Sequence, residues 1–282
     1  MKKHLAGIIP VSGVKTDFSM PWHESLMPIA PNYLAVERSV LECAYAGCNT
    51  IWIVCSDDVT PLIRYQVGEM IQDPVYNYRH FEYSKKDFKR PIRIYYAPID
   101  VKDINKRDCL SWSAIHGALT CNKVFRALSE WLAPDKFYIS WPYGYYDPSL
   151  AREHRRDISE GSFMFSHHSQ TIQDNKYLGM SLTLEHAKQL KSEVREKSTG
   201  LWTDPETRNK RMSLNERFSY RNFTPSQVFD TIDTSHYKIK EIDSYYNLDN
   251  WQDYCLFLSK NNNLRKPSIL KSTEWNEIGK DD

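Results

Sequence analysis

Apolar and polar positions change their rhythm several times along the first half of the chain. "LAGIIPV" (Leu5–Val11) is an unbroken apolar run, the pattern of a strand covered on both faces. In "NYLAVERSVLECAYAG", Leu34, Val36, Val40, Leu41, Ala44 and Tyr45 recur at helical spacing, and Gly47 supplies a stop. "NTIWIVC" returns to the buried-strand pattern. Thr60 and Pro61 then open "PLIRYQVGEMI" as N-cap and first helical residue. "PIRIYYAPI" reads as a third strand, and "KFYISW" as a fourth. Between them "SWSAIHGALTCNKVFRALSEWL" is a long amphipathic helix, with Ala114, Ala118, Val124, Leu128 and Leu132 near one face. The order β-α-β-α-β-α-β implies an α/β fold: a mainly parallel mixed sheet with helices on both faces. Ligands of such sheets bind beyond the carboxyl ends of the strands. That places a candidate site at residues 10–24, 55–60, 97–112 and 141–150.

The second half is less regular. "GSFMFSHH" has strand character, Thr183 is placed to cap a helix over "LEHAKQLKSEVRE", and Thr224 with Pro225 starts another over "TPSQVFDTI". "YKIKEID" alternates as an edge strand does, and "NWQDYCLFLSK" is a last helix. Residues 198–222 are polar and Arg-rich, which predicts a loop excursion. We read residues 1–260 as one α/β domain and 261–282 as a polar tail, frayed or draped on the surface.

Composition narrows the function classes. The chain has 282 residues, 41% apolar and 13% aromatic, with a formal net charge of +1. That is a globular composition, and its charge gives no bulk attraction to nucleic acid or anionic membrane. No apolar run approaches the ~20 residues of a membrane span, and Pro10 interrupts the short N-terminal apolar run. These features predict a cytoplasmic protein. The six cysteines form no C-x-x-C pair and read as small buried hydrophobes in a reducing compartment. There is no G-x-x-x-x-G-K-[ST], G-x-G-x-x-G or G-x-S-x-G. His167-His168 lacks a companion ligand pair, "REHRRD" (Arg152–Asp157) mixes signs as a solvated helix face does, and "RNKR" is too little to make a nucleic-acid surface. "WPYGYY" (Trp141–Tyr146) sets four aromatic rings at the mouth of the sheet. They either wall a site for a sugar or base, or close the end of the core.

Three stretches together resemble the sugar-nucleotide nucleotidyltransferase family. The apolar strand Leu5–Val11, its loop and "LMPIAPNYLAVERSVLECAYAGCNTIWIV" are similar to that family's strand, Gly-rich loop, Leu-Pro-x-x-x-Lys-Pro-Leu stretch, helix ending in Ala-Gly and Ile/Val strand. "SWSAIHGALTCNKV" sits where the family has a Gly-Thr-Ala element under the nucleotide base. "YYNLDNWQDYCLFL" is similar to its late aromatic-x-Asp-x-x-Thr-x-x-x-Tyr ending. The resemblance spans roughly residues 5–258 and implies a Rossmann-like fold of the GT-A type. It also implies transfer of a nucleotidyl group from a nucleoside triphosphate to a sugar phosphate, with Mg2+ and release of pyrophosphate. On this resemblance Val11, Ser12 and Gly13 would cradle phosphates, Lys15 would neutralise them, Ser111 and Ser113 would meet the nucleotide, and Asp147 and Asp249 would hold the metal.

The sequence departs from the family pattern at several of these positions. Only Gly13 remains of the loop glycines. Asn32 falls where the family has its lysine, Tyr33 where it has proline, and Pro142 or Tyr143 where it has the first metal aspartate. Each candidate also has a structural reading: Lys15 as an exposed loop residue, Asp147 before Pro148 as a turn residue, Asp249 as the cap of the last helix, Ser111 and Ser113 as helix-start residues. Two other functions therefore stand beside the nucleotidyltransferase. One is a member of the fold that has lost catalysis and serves as a binding or structural protein. The other is a glycosyltransferase, against which the absence of Asp-x-Asp speaks.

Overall fold

In the computed structural model the described residues are 4–11, 16–77, 91–107, 109–199 and 223–270. The central feature is an eight-stranded mixed sheet. It contains β1 (Leu5–Pro10), β4 (Thr50–Cys55), β5 (Met70–Gln72), β6 (Pro91–Pro98), β7 (Lys136–Ile139), β9 (Phe163–Ser166), β10 (Met180–Thr183) and β11 (Lys238–Glu241). Their spatial order is β11-β9-β10-β7-β1-β4-β6-β5. The expected four-strand core is there: β1 pairs in parallel with β4 and β7, and β4 with β6. β10 runs antiparallel to β7 and β9, and β5 antiparallel to β6. β10 is a strand that the sequence pattern did not reveal, and β5 takes Met70 and Ile71, which were expected to continue a helix that instead ends at Val67. Two small hairpin-like pairs complete the strands: β2 (Pro28–Ala30) with β3 (Tyr33–Leu34), and β8 (Gly144–Tyr145) with β12 (Tyr246–Asn247).

Strand periodicity explains the layers. Leu5, Ile9, Ile51, Ile53 and Cys55 point to one face, and Ala6, Ile8, Trp52 and Val54 to the other. The first face is covered by α1 (Ala35–Ala46), α2 (Thr60–Val67), the short α3 (Pro74–Asn77), α6 (Leu150–Glu153), α7 (Arg155–Glu160) and α10 (Trp251–Lys260). The second is covered by α4 (Val101–Arg107), α5 (Leu110–Leu128), α8 (Leu184–Thr199) and α9 (Pro225–Phe229). Gly47 ends α1 at φ 90°, in the left-handed region that glycine occupies without penalty. The Thr224–Gln227 capping box and Pro225 start α9 as expected.

Several expectations need correction. Val59, not Thr60, precedes α2, and the Thr60 hydroxyl donates to the Ser56 carbonyl. Val124, Leu128 and Leu132 are exposed; the buried face of α5 is Ala114, Ile115, Ala118, Cys121 and Phe125. A step of six from Ala118 to Val124 turns the helix well away from its own stripe, whereas seven reaches Phe125. Cys255 is exposed, unlike the other five cysteines. Within "REHRRD", Arg155 is no solvated residue, because it pairs with the buried Asp73 at 2.8 Å. Residues 261–270 lie against the first face, with Leu270 buried and Lys266 bonded to Glu37 at 2.6 Å. Residues 200–222 and 271–282 lie outside the described residues.

Candidate active site

The carboxyl ends of β1, β4 and β7 converge where the crossover loops leave the sheet. Val11 continues β1 by donating its N–H to the Val54 carbonyl, and its own carbonyl accepts the Tyr143 hydroxyl at 2.8 Å. Tyr143 is fully buried and takes the position where the family pattern places a metal aspartate. Its phenol therefore ties the end of β7 to the first loop and offers no carboxylate. Its carbonyl accepts the Leu248 N–H, and β8 pairs with β12, so residues 246–249 are fastened beside the same sheet end. Gly144 permits this close approach, since a Cβ there would collide with the Tyr177 carbonyl.

Asp249 stands at the end of that fastened segment, partly buried. Its carboxylate is hydrogen-bonded by Tyr177 and Asn247. Burial raises its pKa, those hydrogen bonds act the other way, and the neighbouring Asp17 and Asp253 carboxylates raise it further. The helix-cap reading of Asp249 does not hold. Asn250 caps α10, its side-chain oxygen accepting from the Asp253 N–H at 3.1 Å. Asp17 adds to the cap by accepting from the Trp251 N–H at 2.8 Å, while the Asp17 N–H donates to the Asp249 carbonyl. The chain thus spends two other residues on the helix start, and the Asp249 carboxylate is bonded by Tyr177 and Asn247 instead. Around the same mouth, Asp58 is held below the usual carboxylate range by a Ser56 hydrogen bond, with His23 contributing. Glu24 and Asp249 both face the Tyr143 phenol, which burial shifts strongly upward.

The other candidates fall as follows. Ser12, Gly13 and Lys15 lie outside the described residues. Ser111 and Ser113 are fully buried at the start of α5; Ser113 donates to the Cys109 carbonyl, and the Ser111 hydroxyl has no hydrogen-bond partner among the described residues. Asp147 is exposed and accepts from the Ser149 N–H at 2.8 Å in a turn. Asp147 lines a pocket with Tyr33, Tyr145 and Arg265, while the groups that shift Asp249 are Asp17, Asp253, Tyr177 and Asn247. Asn32 is exposed at the β2–β3 turn with φ 56°. In "WPYGYY", Trp141, Tyr143 and Tyr146 are buried and close the end of the core, and Tyr145 is half-buried. Among the described residues no three His, Cys, Asp or Glu side chains gather to hold a metal, and no helix is long and apolar enough to cross a membrane. Tyr177 and Asp17 were not foreseen. Neither belongs to a local motif, and only the folded chain brings them to Asp249.

No protein-family model and no curated protein matches the sequence. Solved structures do. A Bacillus anthracis protein assigned as a glucose-1-phosphate thymidylyltransferase, crystallised with sucrose, superposes with a TM-score of 0.55 at 9% identity, covering 94% of this chain and 98% of its own. The 4-diphosphocytidyl-2C-methyl-D-erythritol synthase of Anaerococcus prevotii matches more weakly, with a TM-score of 0.46 at 13% identity over 92% of this chain and 96% of its own. The first likeness shows the fold: this chain has the Rossmann-like α/β fold of that protein.

Proposed function

We propose that the chain is a divergent nucleotidyltransferase, which moves a nucleotidyl group from a nucleoside triphosphate to a sugar phosphate or similar acceptor. The observation that carries this reading is the Asp249 carboxylate. It stands at the carboxyl end of the central strands, is oriented by Tyr177 and Asn247, and is not consumed by the helix it precedes. In the reaction, a phosphate oxygen of the acceptor attacks the α-phosphorus. The bond from that phosphorus to the bridging oxygen breaks, and pyrophosphate leaves with the electron pair. Mg2+ would supply charge neutralisation for the leaving group. This ion accepts one or two carboxylates with phosphate oxygens and waters, so Asp249 together with a bound triphosphate fits it. Lys15, Ser12 and Gly13 would face the phosphates from the first loop. A fold neighbour assigned as a glucose-1-phosphate thymidylyltransferase supports a sugar phosphate as the acceptor class.

The test is a thermal-shift series with the common nucleoside triphosphates, with and without Mg2+, followed by a pyrophosphate-release assay with sugar 1-phosphates. We expect a Mg2+-dependent rise in melting temperature with one triphosphate, absent in D249N. D147N, run alongside, reports whether the second carboxylate shares the ion. No shift with any triphosphate overturns the reading. A second reading is a member of the fold that binds without catalysing. Tyr143 at the expected aspartate and Asn32 at the expected lysine favour it, and a ligand-induced shift without pyrophosphate release would establish it.

A further inference from the structure

A second cavity lies on the α1 side of the sheet, outside the chemistry proposed for Asp249. Its volume is about 370 Å3, at the lower end of the ~300–1,000 Å3 typical of small-molecule sites. Four tyrosines line it: Tyr33, Tyr45, Tyr145 and Tyr246. They come from the β2–β3 pair, α1 and the β8–β12 pair, so separate segments converge on one hollow. Phe257 of α10 packs against Tyr145 and Tyr246, with ring centroids 4.3 and 5.5 Å away, and backs that wall from the core. Tyr33 is only 2% exposed, and its hydroxyl has no hydrogen-bond partner among the described residues.

The rim gives the chemistry. Asp147 brings a carboxylate and Arg265 a guanidinium, with the Asn261 amide between the two types. Arg265 is exposed, and one of its terminal nitrogens donates to the Asn262 and Leu264 carbonyls, which sets the head in place. The neighbouring Glu37 and Lys266 neutralise each other at 2.6 Å. The hollow therefore carries no net charge, which argues against a bare cation or a bare phosphate as its ligand. It combines aromatic surface with both donors and acceptors. A sugar ring has that character: apolar C–H faces that lie on aromatic rings, and hydroxyls that each donate and accept.

We propose that this tyrosine-lined hollow is a binding site for a neutral sugar ring, separate from the site of Asp249. The experiment is saturation-transfer NMR and titration of the full chain with methyl α-D-glucopyranoside, methyl α-D-mannopyranoside and methyl β-D-galactopyranoside. Choline and inorganic phosphate serve as contrasting probes. At least one pyranoside should bind. Its dissociation constant should rise about fivefold in Y45A, which removes one of the lining rings, and by a similar factor in R265A, while D249N leaves it unchanged. Binding of none of the three sugars overturns the proposal, as does wild-type affinity in both pocket variants. Sensitivity to D249N alone would place the sugar at the other site and also overturn it. Choline or phosphate binding in place of sugar would mean that the rim is not balanced as argued. The nucleotide experiments above do not depend on this outcome, so either reading can fail alone.

Discussion

Arg38 and Glu42 sit one turn apart on α1 with both side chains fully enclosed, 2.7 Å from each other. Charges so placed are tolerated when they pair with each other and gather further hydrogen bonds. Here Glu42 accepts from the Tyr138, Ser140 and Tyr146 hydroxyls, and Arg38 donates to the Trp141 and Tyr146 carbonyls while lying over the Tyr146 ring. Gly179 makes room: a Cβ there would stand 2.6 Å from a Glu42 oxygen and 2.7 Å from the Tyr146 hydroxyl. Removing one partner leaves the other charge buried alone. E42L or R38M should therefore lower unfolding free energy by about 3–5 kcal/mol in denaturant melts, and the double variant E42L/R38M by less than the sum of its singles. Additive losses would show that the two residues are not one unit. At Asp249 the sign is opposite. Its folded pKa is raised, so the native state loses nothing where the group is protonated in both states. As pH rises, the unfolded chain ionises first, and stability is lost through that window and stays lost above it. In the absence of ligand, D249N should melt above wild type at pH 7, with the gap closing as pH falls below about 3.9. A less stable D249N would mean that the Tyr177 and Asn247 bonds outweigh burial.

At the scale of elements, the start of α10 couples the fold to the candidate site. Asn250 and Asp17 satisfy its first N–H groups, and Asp17 belongs to the loop after β1. N250A should cost about 1 kcal/mol of stability and leave nucleotide affinity largely intact. D17A should cost a similar amount and also weaken any Mg2+-dependent nucleotide shift, because its carboxylate ties the loop after β1 to Asn250 and Trp251, directly after Asp249; equal effects on binding from both variants would contradict that coupling. What the sequence showed of the elements follows from their length. The runs at β1, β4 and β6 are long enough to show their period, and α1 announces itself by spacing and a glycine stop. β5 and β10, with three and four residues, exist because a longer neighbour pairs with them, which no local pattern can show. The site divides in the same way. Asp249 was legible through its resemblance to a known ending. Tyr177, Asp17 and the hollow around Tyr33 depend on chain segments that meet only in the fold. The Arg38–Glu42 pair did leave a trace, as opposite charges at i,i+4 spacing within a largely apolar helix.

Across the whole molecule, protection should grade from the middle of the sheet outwards. β1 has a parallel partner on each side, all six of its residues are buried, and helices cover both faces. β4 and β7 share that enclosure almost completely. β11 is the opposite case. It is a last strand, all four residues are exposed, and two of them are the lysines Lys238 and Lys240, which discourage edge-to-edge pairing. β5 closes the other edge, with Met70 half exposed and a single neighbour in β6. Opening the centre requires breaking both layers of the core, whereas opening an edge disturbs a few hydrogen bonds. Hydrogen exchange under native conditions should therefore show the amides of β1, β4 and β7 exchanging last, through global unfolding, and those of β11 and β5 first among the strands. If β11 proved as slow as β1, the edge would be covered in solution by something outside this chain's fold. Repeating the exchange at several protein concentrations would then separate a second copy, whose protection grows with concentration, from an intrinsic stability of that edge.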